Sequence, residues 1–598
     1  MHRRDLLKGA AALPLTAALA PLGAMARGMA RRVRPADPAW PSPARWAALK
    51  EAVGGNLVTP VAPTAPCEAA PDGAACLAVK AELKNPFYIG DQPGGTQSSG
   101  WLDAWTPQQS AYAVAAHRPE DVVAAVNFAR RYNLRLVVKG GGHSYQGTSN
   151  APDSLLVWTR AMNAVVLHDA FTPKGLEGVQ APTPAVSVEA GAMWIDVYDA
   201  VTTKGGRYVQ GGGCTTVGVA GLVQSGGFGS FSKGFGTAAA NLLEADIVTA
   251  DGILRTVSAR NDPELFWAIK GGGGGSLGVV TRLTLRTHDL PPFFTAAIGS
   301  IQAKSDDAFH RLIAAFMGFY ADSLMNPHWG EQVTFHSDNR LELAMLGQGL
   351  TQAEASAAWR PFSKWLATSP QDFSVAGMLV INLPARTFWN AELQHKQNLM
   401  LTDDRPSAPS DHGWWSGDRG QVGLFWHGYD SVWMPETLLQ AAERDRLAGA
   451  LFEASRHATF ALHFNKGLAG APPEALAMVK DTATNPKVMH AFALAIVANG
   501  GPPAYPGLRG ARPDLAQAHR NAAEVAATAA ALRTVAPGAG SYLSESNYFN
   551  AAWRDAYWGS NYPKLRAVKA RYDPNGLFIV HHGVGSEDWS PDGFTRLG

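Results

Sequence analysis

The chain has 598 residues and a formal net charge of +1, from 51 Lys and Arg against 50 Asp and Glu. This balance gives no electrostatic basis for binding nucleic acid or an anionic membrane, and we expect neither as a partner. The length exceeds what a single hydrophobic core supports, so at least two domains are expected. The 62 glycines and 18 tryptophans predict many tight turns and aromatic pockets.

The first 26 residues predict export. Arg3 and Arg4 precede an apolar stretch, residues 10–22, which ends near the small-residue site at residues 24–26. The stretch is too short to span a bilayer, and we interpret residues 1–26 as a twin-arginine signal peptide recognised by the twin-arginine translocon. An ordinary Sec signal with accidental arginines is the alternative. We therefore expect a monomeric protein that is periplasmic or secreted.

A Pro- and Ala-rich arm, residues 27–105, follows, and regular structure is expected to begin near Ala115. Cys67 and Cys76 lie in a loop-like part of this arm. Because oxidation is expected in an exported chain, they are predicted to form a disulfide. Cys214 is then the odd thiol, which needs either burial or a covalent partner. A buried, inert cysteine is the alternative for Cys214.

Residues 106–290 predict one mixed α+β domain. Pro119, followed by two acidic residues, begins an amphipathic helix within residues 117–134. Strands are predicted at 134–139, 185–191 and 278–286, a hairpin turns at Asp251-Gly252, and helices are predicted at 193–205 and 262–270.

Pro291 and Pro292 mark the start of a second domain, residues 291–540. Within it, residues 341–346 alternate as a strand, residues 351–368 and 435–459 predict helices, and residues 491–498 predict a buried strand or short helix. The C-terminal segment, residues 541–598, contains a helix that a turn at residues 573–576 should end.

Two glycine-rich turns carry the candidate chemistry. One follows a predicted strand at residues 140–147, and the other spans residues 211–229. Glycines let backbone N–H groups converge on an anion, as in a pyrophosphate cradle. Neither turn fits the Walker or the Rossmann pattern, and either alone is as consistent with a plain loop. One turn, however, contains His143 and the other contains Cys214.

The segments VVKGGGHSYQG, GGGCTTVGVAGLVQSGGFGSFSKGFG, ADIVTADG, GGGGGSLGVVT and WGSNYPKLRAVKARYDPNGLF occur in this order along the chain. They resemble the berberine bridge enzyme-like group of the vanillyl-alcohol oxidase flavoprotein superfamily. The resemblance covers residues 100–290 and 540–585. It implies an α+β fold with a PCMH-type FAD-binding domain, an α/β substrate-binding domain with an antiparallel sheet, and a berberine-type C-terminal segment that returns to the FAD domain.

The same resemblance implies covalently bound FAD, held by His143 at the 8α-methyl carbon and by Cys214 at C6. An imidazole or thiolate is a nucleophile able to add to an electron-poor ring. Val217 resembles the position at which a small side chain leaves room for dioxygen, with plain packing as the alternative. The remaining predicted cofactor-binding residues are Gly140, Gly141, Gly142, Ser144, Gly147, Thr215, Thr216, Gly218, Gly221, Ser225, Gly226, Gly229, Ile247, Val248, Asn561 and Tyr562.

Oxidation of an alcohol by hydride transfer needs a base for the hydroxyl proton. In related carbohydrate oxidases a tyrosine serves, and here its position falls on Glu545, with Tyr548 as the alternative if the register slips. Either side chain could be purely structural. His463, Asn465 and Lys466 are further candidates for the pocket. His581 and His582 should point to opposite faces of an extended segment, and no metal site is predicted.

These observations predict a secreted FAD-linked oxidase that acts on an alcohol or sugar hydroxyl and forms hydrogen peroxide from dioxygen. A dehydrogenase with another acceptor and an oxidative cyclase are the alternatives within redox chemistry. An extracellular carbohydrate- or ligand-binding protein with a redundant flavin is the alternative from another class.

Overall fold

The computed structural model describes residues 31–597, so the predicted signal peptide, residues 1–26, lies outside the described residues. Four sheets, of four, six, eight and two strands, and the helices around them make up the described chain. None of the helices in residues 31–597 is long and apolar enough to cross a membrane.

Regular structure begins well before Ala115, so that prediction is wrong. The N-terminal segment contains α1 (Pro43–Ala52), β1 (Leu57–Val58), α2 (Ala65–Ala69), α3 (Ala74–Glu82), α4 (Pro86–Gly90) and β2 (Gly100–Trp101). The predicted disulfide joins Cys67 to Cys76 and ties α2 to α3. A high proline content is therefore compatible with short helices here. Several of these helices carry proline in the first turn, where its missing N–H breaks no hydrogen bond of the helix.

The next segment supplies two sheets. Its elements are β3 (Tyr112–Ala115), α5 (Pro119–Arg131), β4 (Arg135–Lys139), β5 (Ser154–Trp158), β6 (Val165–Phe171), β7 (Thr183–Glu189), α6 (Trp194–Tyr198), β8 (Arg207–Val209), α7 (Val219–Gln224), α8 (Ser232–Phe235), β9 (Leu242–Val248), β10 (Leu254–Ser258), α9 (Pro263–Ile269) and β11 (Val279–Asp289). One sheet has the order β1-β3-β5-β4, and the other β10-β9-β11-β7-β6 with β8 also on β11.

Most predicted elements of this segment are confirmed. The buried face of α5 consists of Asp121, Val122, Ala125, Val126 and Ala129, and β9 and β10 form the hairpin across Asp251-Gly252. Two details differ. The strand expected at 185–191 runs from Thr183 to Glu189, and the helix expected at 193–205 becomes a π-helix over Asp199–Lys204.

The second sheet-forming segment begins directly after Pro291 and Pro292. Its elements are β12 (Phe293–Ala303), α10 (Asp306–Phe319), β13 (Trp329–Phe335), β14 (Arg340–Gln348), α11 (Gln352–Ala367), β15 (Phe373–Pro384), α12 (Ala391–Lys396), β16 (Met400–Thr402), β17 (Gly413–Trp415), β18 (Phe425–Pro435), α13 (Arg444–His457), β19 (Phe460–His463), α14 (Pro473–Lys480), β20 (Ala491–Gly501) and α15 (Leu515–Val535). The helix predicted at 435–459 begins only at Arg444, because β18 continues through Pro435.

An eight-stranded sheet with the order β15-β12-β14-β13-β19-β20-β18-β2 dominates this half of the chain. Its strand pairs are antiparallel except for β18 with β2. Period-two alternation gives the sheet two apolar faces. On β14, Leu343 and Met345 pack in the core formed with α10, α11, α13 and α15, whereas Ala344 and Leu346 face a cavity on the other side.

The C-terminal segment returns to the first half of the molecule through α16 (Trp553–Trp558) and α17 (Tyr562–Tyr572). The indole of Trp558 donates to the Gly271 carbonyl over 2.9 Å. The buried Lys569 ammonium donates to the Ser276 and Phe578 carbonyls and to the Asp573 carboxylate, each over 2.6 Å. These contacts hold the residues before α16 against the same cavity.

Candidate active site

A cavity of about 980 Å³ lies between the two glycine-rich turns and the open face of the eight-stranded sheet. His143 and Cys214, which are far apart in the sequence, both line it. Its volume is at the upper end of the range of ligand and cofactor pockets. The described chain therefore brings both predicted nucleophiles to one site.

The two glycine turns approach each other through their backbones. A Cβ added at Gly218 would lie 3.2 Å from the Gly141 nitrogen, and one at Gly141 would lie 3.4 Å from the Gly218 nitrogen. Gly142 has φ +74°, a conformation that side chains disfavour. Glycine at these positions lets amide groups of both turns face the cavity without obstruction.

Burial shifts the pKa values of the two candidate nucleophiles in opposite directions. It lowers the pKa of His143 to about 4, because a charged imidazolium loses its hydration. Near neutral pH the imidazole is therefore the neutral, nucleophilic form. Burial raises the pKa of the Cys214 thiol well above its usual value, and the nearby Asp418 carboxyl raises it further. The cysteine is therefore a protonated thiol before any reaction.

Charged side chains gather on the sheet side of the cavity. The Lys466 ammonium forms an ion pair with Glu545, the predicted base, and both line the cavity. Asp418 and Glu331 lie on the same wall, and burial raises the pKa of each. Three carboxyl groups and one ammonium thus surround the region next to Cys214.

Glu331 has an unusual backbone. It has φ +66° inside β13, where glycine would be the unstrained choice. Its carboxylate accepts a hydrogen bond from the Ser230 hydroxyl, and Oε1 would lie 3.7 Å from a Cβ placed on Gly213. Glu331 therefore combines a strained backbone with a carboxylate that lies beside the turn containing Cys214.

About half of the predicted cofactor and catalytic residues line the cavity. These are Gly140, Gly141, Gly142, His143, Ser144, Cys214, Val217, Gly218, Gly221, Ser225 and Glu545. The candidates His463, Asn465 and Lys466 line it as well, as do Gly273, Gly274 and Gly275 of the five-glycine run.

Other predicted residues support the turns instead. The added Cβ of Gly147 would strike Trp105, and the Thr215 hydroxyl donates to the Gly413 carbonyl over 2.8 Å. Thr216, Gly226 and Gly229 also lie off the cavity wall. Ile247 and Val248 lie on β9 between β10 and β11. Gly278 separates them from the cavity, since its added Cβ would lie 2.7 Å from the Val248 carbonyl oxygen.

Tyr548, Asn561 and Tyr562 likewise do not line the cavity. The Tyr548 ring stacks on His581 with centroids 3.7 Å apart. Asn561 donates to the Thr484 carbonyl over 2.9 Å, and the Tyr562 hydroxyl donates to Glu587 over 2.5 Å. Packing or hydrogen bonds hold all three side chains away from the cavity wall.

His581 and His582 do not point to opposite faces, so that prediction is wrong. Both line the cavity and their rings stack 3.8 Å apart, because His582 has φ +50° and the segment is not an extended strand. Burial lowers the pKa of His581 to about 4 and that of His582 to about 3. Within residues 31–597 no cluster of three or more His, Cys, Asp or Glu side chains could hold a metal ion.

The sequence analysis did not predict the aromatic side chains of the cavity wall. They consist of Tyr145, Phe228, Phe388, Trp389, Trp415, Trp426, Tyr429, Tyr542, Tyr557 and Trp558. Tyr145 and Phe228 are inside the two glycine turns, and Trp558 begins the C-terminal motif. The others come from segments without a local pattern that distinguishes them from core aromatics, and for these the high tryptophan count was the one indication in the sequence.

The cavity fits a flavin nucleotide. Among residues 31–597, no hydrogen-bond partner lies within reach of the buried Ser149 and Ser276 hydroxyls or of the Asn465 amide oxygen, and all three residues line the cavity. Buried polar atoms are rarely left unpaired, so these atoms indicate a polar ligand. A neutral imidazole, a thiol, exposed backbone amides and aromatic walls together suit FAD.

Two family models match the chain. The model for the FAD binding domain matches residues 110–258, and the model for berberine and berberine-like proteins matches residues 536–585. These ranges contain both glycine turns and Glu545. The chain has the PCMH-type flavoprotein fold with a berberine-like C-terminal segment.

Relatives extend this match to nearly the whole chain. An uncharacterised FAD-linked oxidoreductase of Arthroderma benhamiae is 27% identical, with 97% of this chain and 99% of the relative covered. The structure of the VAO-type flavoprotein MtVAO615 from Myceliophthora thermophila C1 is 25% identical, covers 95% of this chain and 100% of that one, and has a TM-score of 0.78.

A glucooligosaccharide oxidase from Acremonium strictum, which carries 6-S-cysteinyl, 8α-N1-histidyl FAD, shares the fold at 18% identity and a TM-score of 0.61, with 86% of this chain and 98% of that one covered. Together with the site, the whole-chain relatives define the class: the protein is an FAD-linked oxidoreductase. The two family matches show that residues 110–258 and 536–585 are similar to the FAD binding domain and to berberine and berberine-like proteins.

Proposed function

We propose that the protein is an oxidase that removes a hydride from an alcohol or sugar hydroxyl carbon, with FAD bound covalently through both His143 and Cys214. FAD, when bound, accepts the hydride and passes its electrons to dioxygen to give hydrogen peroxide. One observation carries the proposal: the two nucleophiles belong to different glycine turns and line one cavity that has the dimensions of a cofactor site.

The residues of this chain supply attachment, shape and proton transfer. His143 and Cys214 fix the ring at two points, so the sheet side of the cavity remains open for substrate. The region near Cys214 is then the reacting edge, because C6 of the ring is adjacent to the hydride-accepting N5 edge. Glu545 and Lys466 line the same cavity and are ion-paired.

Glu545 is the proposed acceptor of the substrate hydroxyl proton. Its carboxylate is an oxygen base that can accept a proton from a bound hydroxyl. The ion pair with Lys466 fixes its position on the wall, which is a requirement for general base catalysis. Tyr548 is a weaker candidate, since its ring is stacked on His581 outside the cavity wall.

Dioxygen is the proposed electron acceptor because the side chain of Val217 on the cavity wall is small. A dehydrogenase or an oxidative cyclase would use the same attachment residues. The paired nucleophiles argue against a ligand-binding protein with a redundant flavin, which would have no use for two covalent bonds.

We further propose that the protein acts as a monomer after twin-arginine export to the periplasm or the medium. The disulfide between Cys67 and Cys76 supports an oxidising location. Cell fractionation of the full chain and of an Arg3→Lys, Arg4→Lys variant tests the export route. Retention of the variant in the cytoplasm is expected, and equal export of both would contradict the proposal.

A substrate screen in air tests the activity. Holoprotein made with its signal intact is supplied with alcohols, mono- and oligosaccharides, and hydrogen peroxide is followed. Peroxide release that is stoichiometric with substrate oxidation is expected. Flavin reduction by substrate in the absence of air, without peroxide release in air, would instead identify a dehydrogenase.

A further inference from the structure

Asp418 lies beside Cys214 because two hydrogen bonds hold its segment to the cysteine turn. The Thr215 hydroxyl donates to the Gly413 carbonyl over 2.8 Å, and the Trp415 indole donates to the Gly213 carbonyl over 3.2 Å. Asp418 follows in the 3-10 turn Ser416–Gln421, which β17 leads into. Cys214 and Asp418 both line the cavity.

The surroundings suit a proton transfer between these two groups. Burial raises the pKa of both groups, and the Asp418 carboxyl raises the pKa of the thiol further. A carboxylate with a raised pKa is a better proton acceptor than one in water. The other charged groups that influence the thiol are Lys466, which favours the thiolate, and Glu545, which opposes it.

We propose that Asp418 is the base that deprotonates Cys214 during formation of its bond to the flavin. This proposal rests on the proposed bicovalent attachment. It explains how the Cys214 thiol on the cavity wall, which is otherwise protonated, becomes the thiolate that bond formation requires. None of the segments that carry the flavin motifs contains Asp418.

The S–H bond of Cys214 breaks and its proton passes to Asp418, while the sulfur forms a bond to C6 of the ring. The C6–H bond then breaks with loss of a proton, and the ring retains two electrons. Dioxygen removes these electrons and, with the two protons, leaves as hydrogen peroxide.

The test compares purified wild-type protein with Asp418→Asn, with Cys214→Ser and with Arg419→Gln as a matched control. Arg419 is an exposed neighbour that does not line the cavity. Mass spectrometry of proteolytic peptides measures how much His143 peptide and how much Cys214 peptide carries flavin. Proteins are sampled over time in air at pH 7 and at pH 9.

Asp418→Asn is expected to keep wild-type attachment at His143. Its attachment at Cys214 should slow at pH 7 by about a hundredfold or more, the lower end of the range for loss of a general base. Raising the pH to 9 should accelerate attachment in Asp418→Asn far more than in the wild type, because solvent then forms the thiolate. Arg419→Gln should match the wild type, and Cys214→Ser should form no thioether at either pH.

A thioether that forms at the wild-type rate in Asp418→Asn at pH 7 would overturn the proposal. If Asp418→Asn does not fold, Asp418→Glu decides, because it keeps the carboxylate: its failure to form the thioether despite wild-type attachment at His143 would also overturn it. A wild-type protein without flavin on Cys214 would instead contradict the proposed bicovalent function itself.

Discussion

At the residue scale, His143 and Cys214 enter the same site with different chemistry. Burial leaves the imidazole neutral and the thiol protonated, as their pKa directions show. The histidine is thus ready to attack without a partner, whereas the cysteine needs a base. This difference gives an order to the two attachments: the bond at His143 should form first.

Attachment at His143 should have a simple pH dependence. Because its pKa is lowered to about 4, the neutral nucleophile dominates above that pH and disappears as the pH falls through it. We expect the rate of histidyl attachment in Cys214→Ser to be nearly constant from pH 6 to 8 and to fall only at pH values approaching 4. Timed quenching and mass spectrometry measure this rate, and a midpoint near pH 6.5 would contradict the buried, neutral assignment.

Glu545 is tested by Glu545→Gln, with Tyr548→Phe as the control that removes the other candidate base. Loss of the proton acceptor should reduce the rate of flavin reduction by substrate about 10²–10⁴-fold without changing flavin content. Tyr548→Phe should leave that rate nearly unchanged, because its ring packs on His581 away from the cavity. Stopped-flow absorbance on a substrate from the screen measures both, and an unchanged rate in Glu545→Gln would remove it from the mechanism.

At the element scale, the first glycine turn depends on one backbone conformation. Gly142 has φ +74°, and an added Cβ would lie 3.3 Å from the Gly95 carbonyl oxygen. Gly142→Ala should therefore lower the free energy of unfolding by about 1–2 kcal/mol and reduce flavin content. Gly420→Ala, at a site with open space around the added Cβ, should do neither. Urea unfolding and flavin absorbance measure both effects, and equal behaviour of the two variants would contradict this account of the turn.

Local sequence patterns predicted those elements whose boundaries are set by local physical chemistry. The amphipathic α5 begins at Pro119, and α11 begins after the capping box of Thr351 with Glu354. The patterns did not predict elements whose boundaries are set by tertiary contacts. The arm's short helices and the extension of β18 through Pro435 depend on packing against distant segments, which periodicity does not report.

At the scale of the whole molecule, the C-terminal segment is anchored by buried Lys569. Its ammonium and the Asp573 carboxylate are almost fully buried, with side chains 3% and 0% exposed. Lys569→Met leaves an unpaired buried carboxylate and should cost about 3–5 kcal/mol of unfolding free energy. Lys396→Met, which removes an exposed ion pair with Glu392, is the control and should have no measurable effect. Denaturant titration compares them, and equal stability would contradict the anchoring role.

The site is assembled at this scale from parts that the sequence reveals unequally. The glycine turns carry long motifs, so His143 and Cys214 could be predicted to meet at one site, whereas Glu545 was assigned only from the position of the tyrosine base in related carbohydrate oxidases. Glu331 and Asp418 come from a strand and a 3-10 turn without a recognisable pattern, and only the fold brings them to Cys214. Conversely, Ile247 and Val248 lie within a motif, yet their strand is enclosed by two others.

The central claim is that one flavin is bonded to two side chains of one cavity. Peptide mass spectrometry of the wild-type protein, expressed with ample riboflavin, tests it most directly. The account predicts a single FAD that cross-links the peptide containing His143 to the peptide containing Cys214. Recovery of both peptides unmodified, with all flavin released on denaturation, would contradict it.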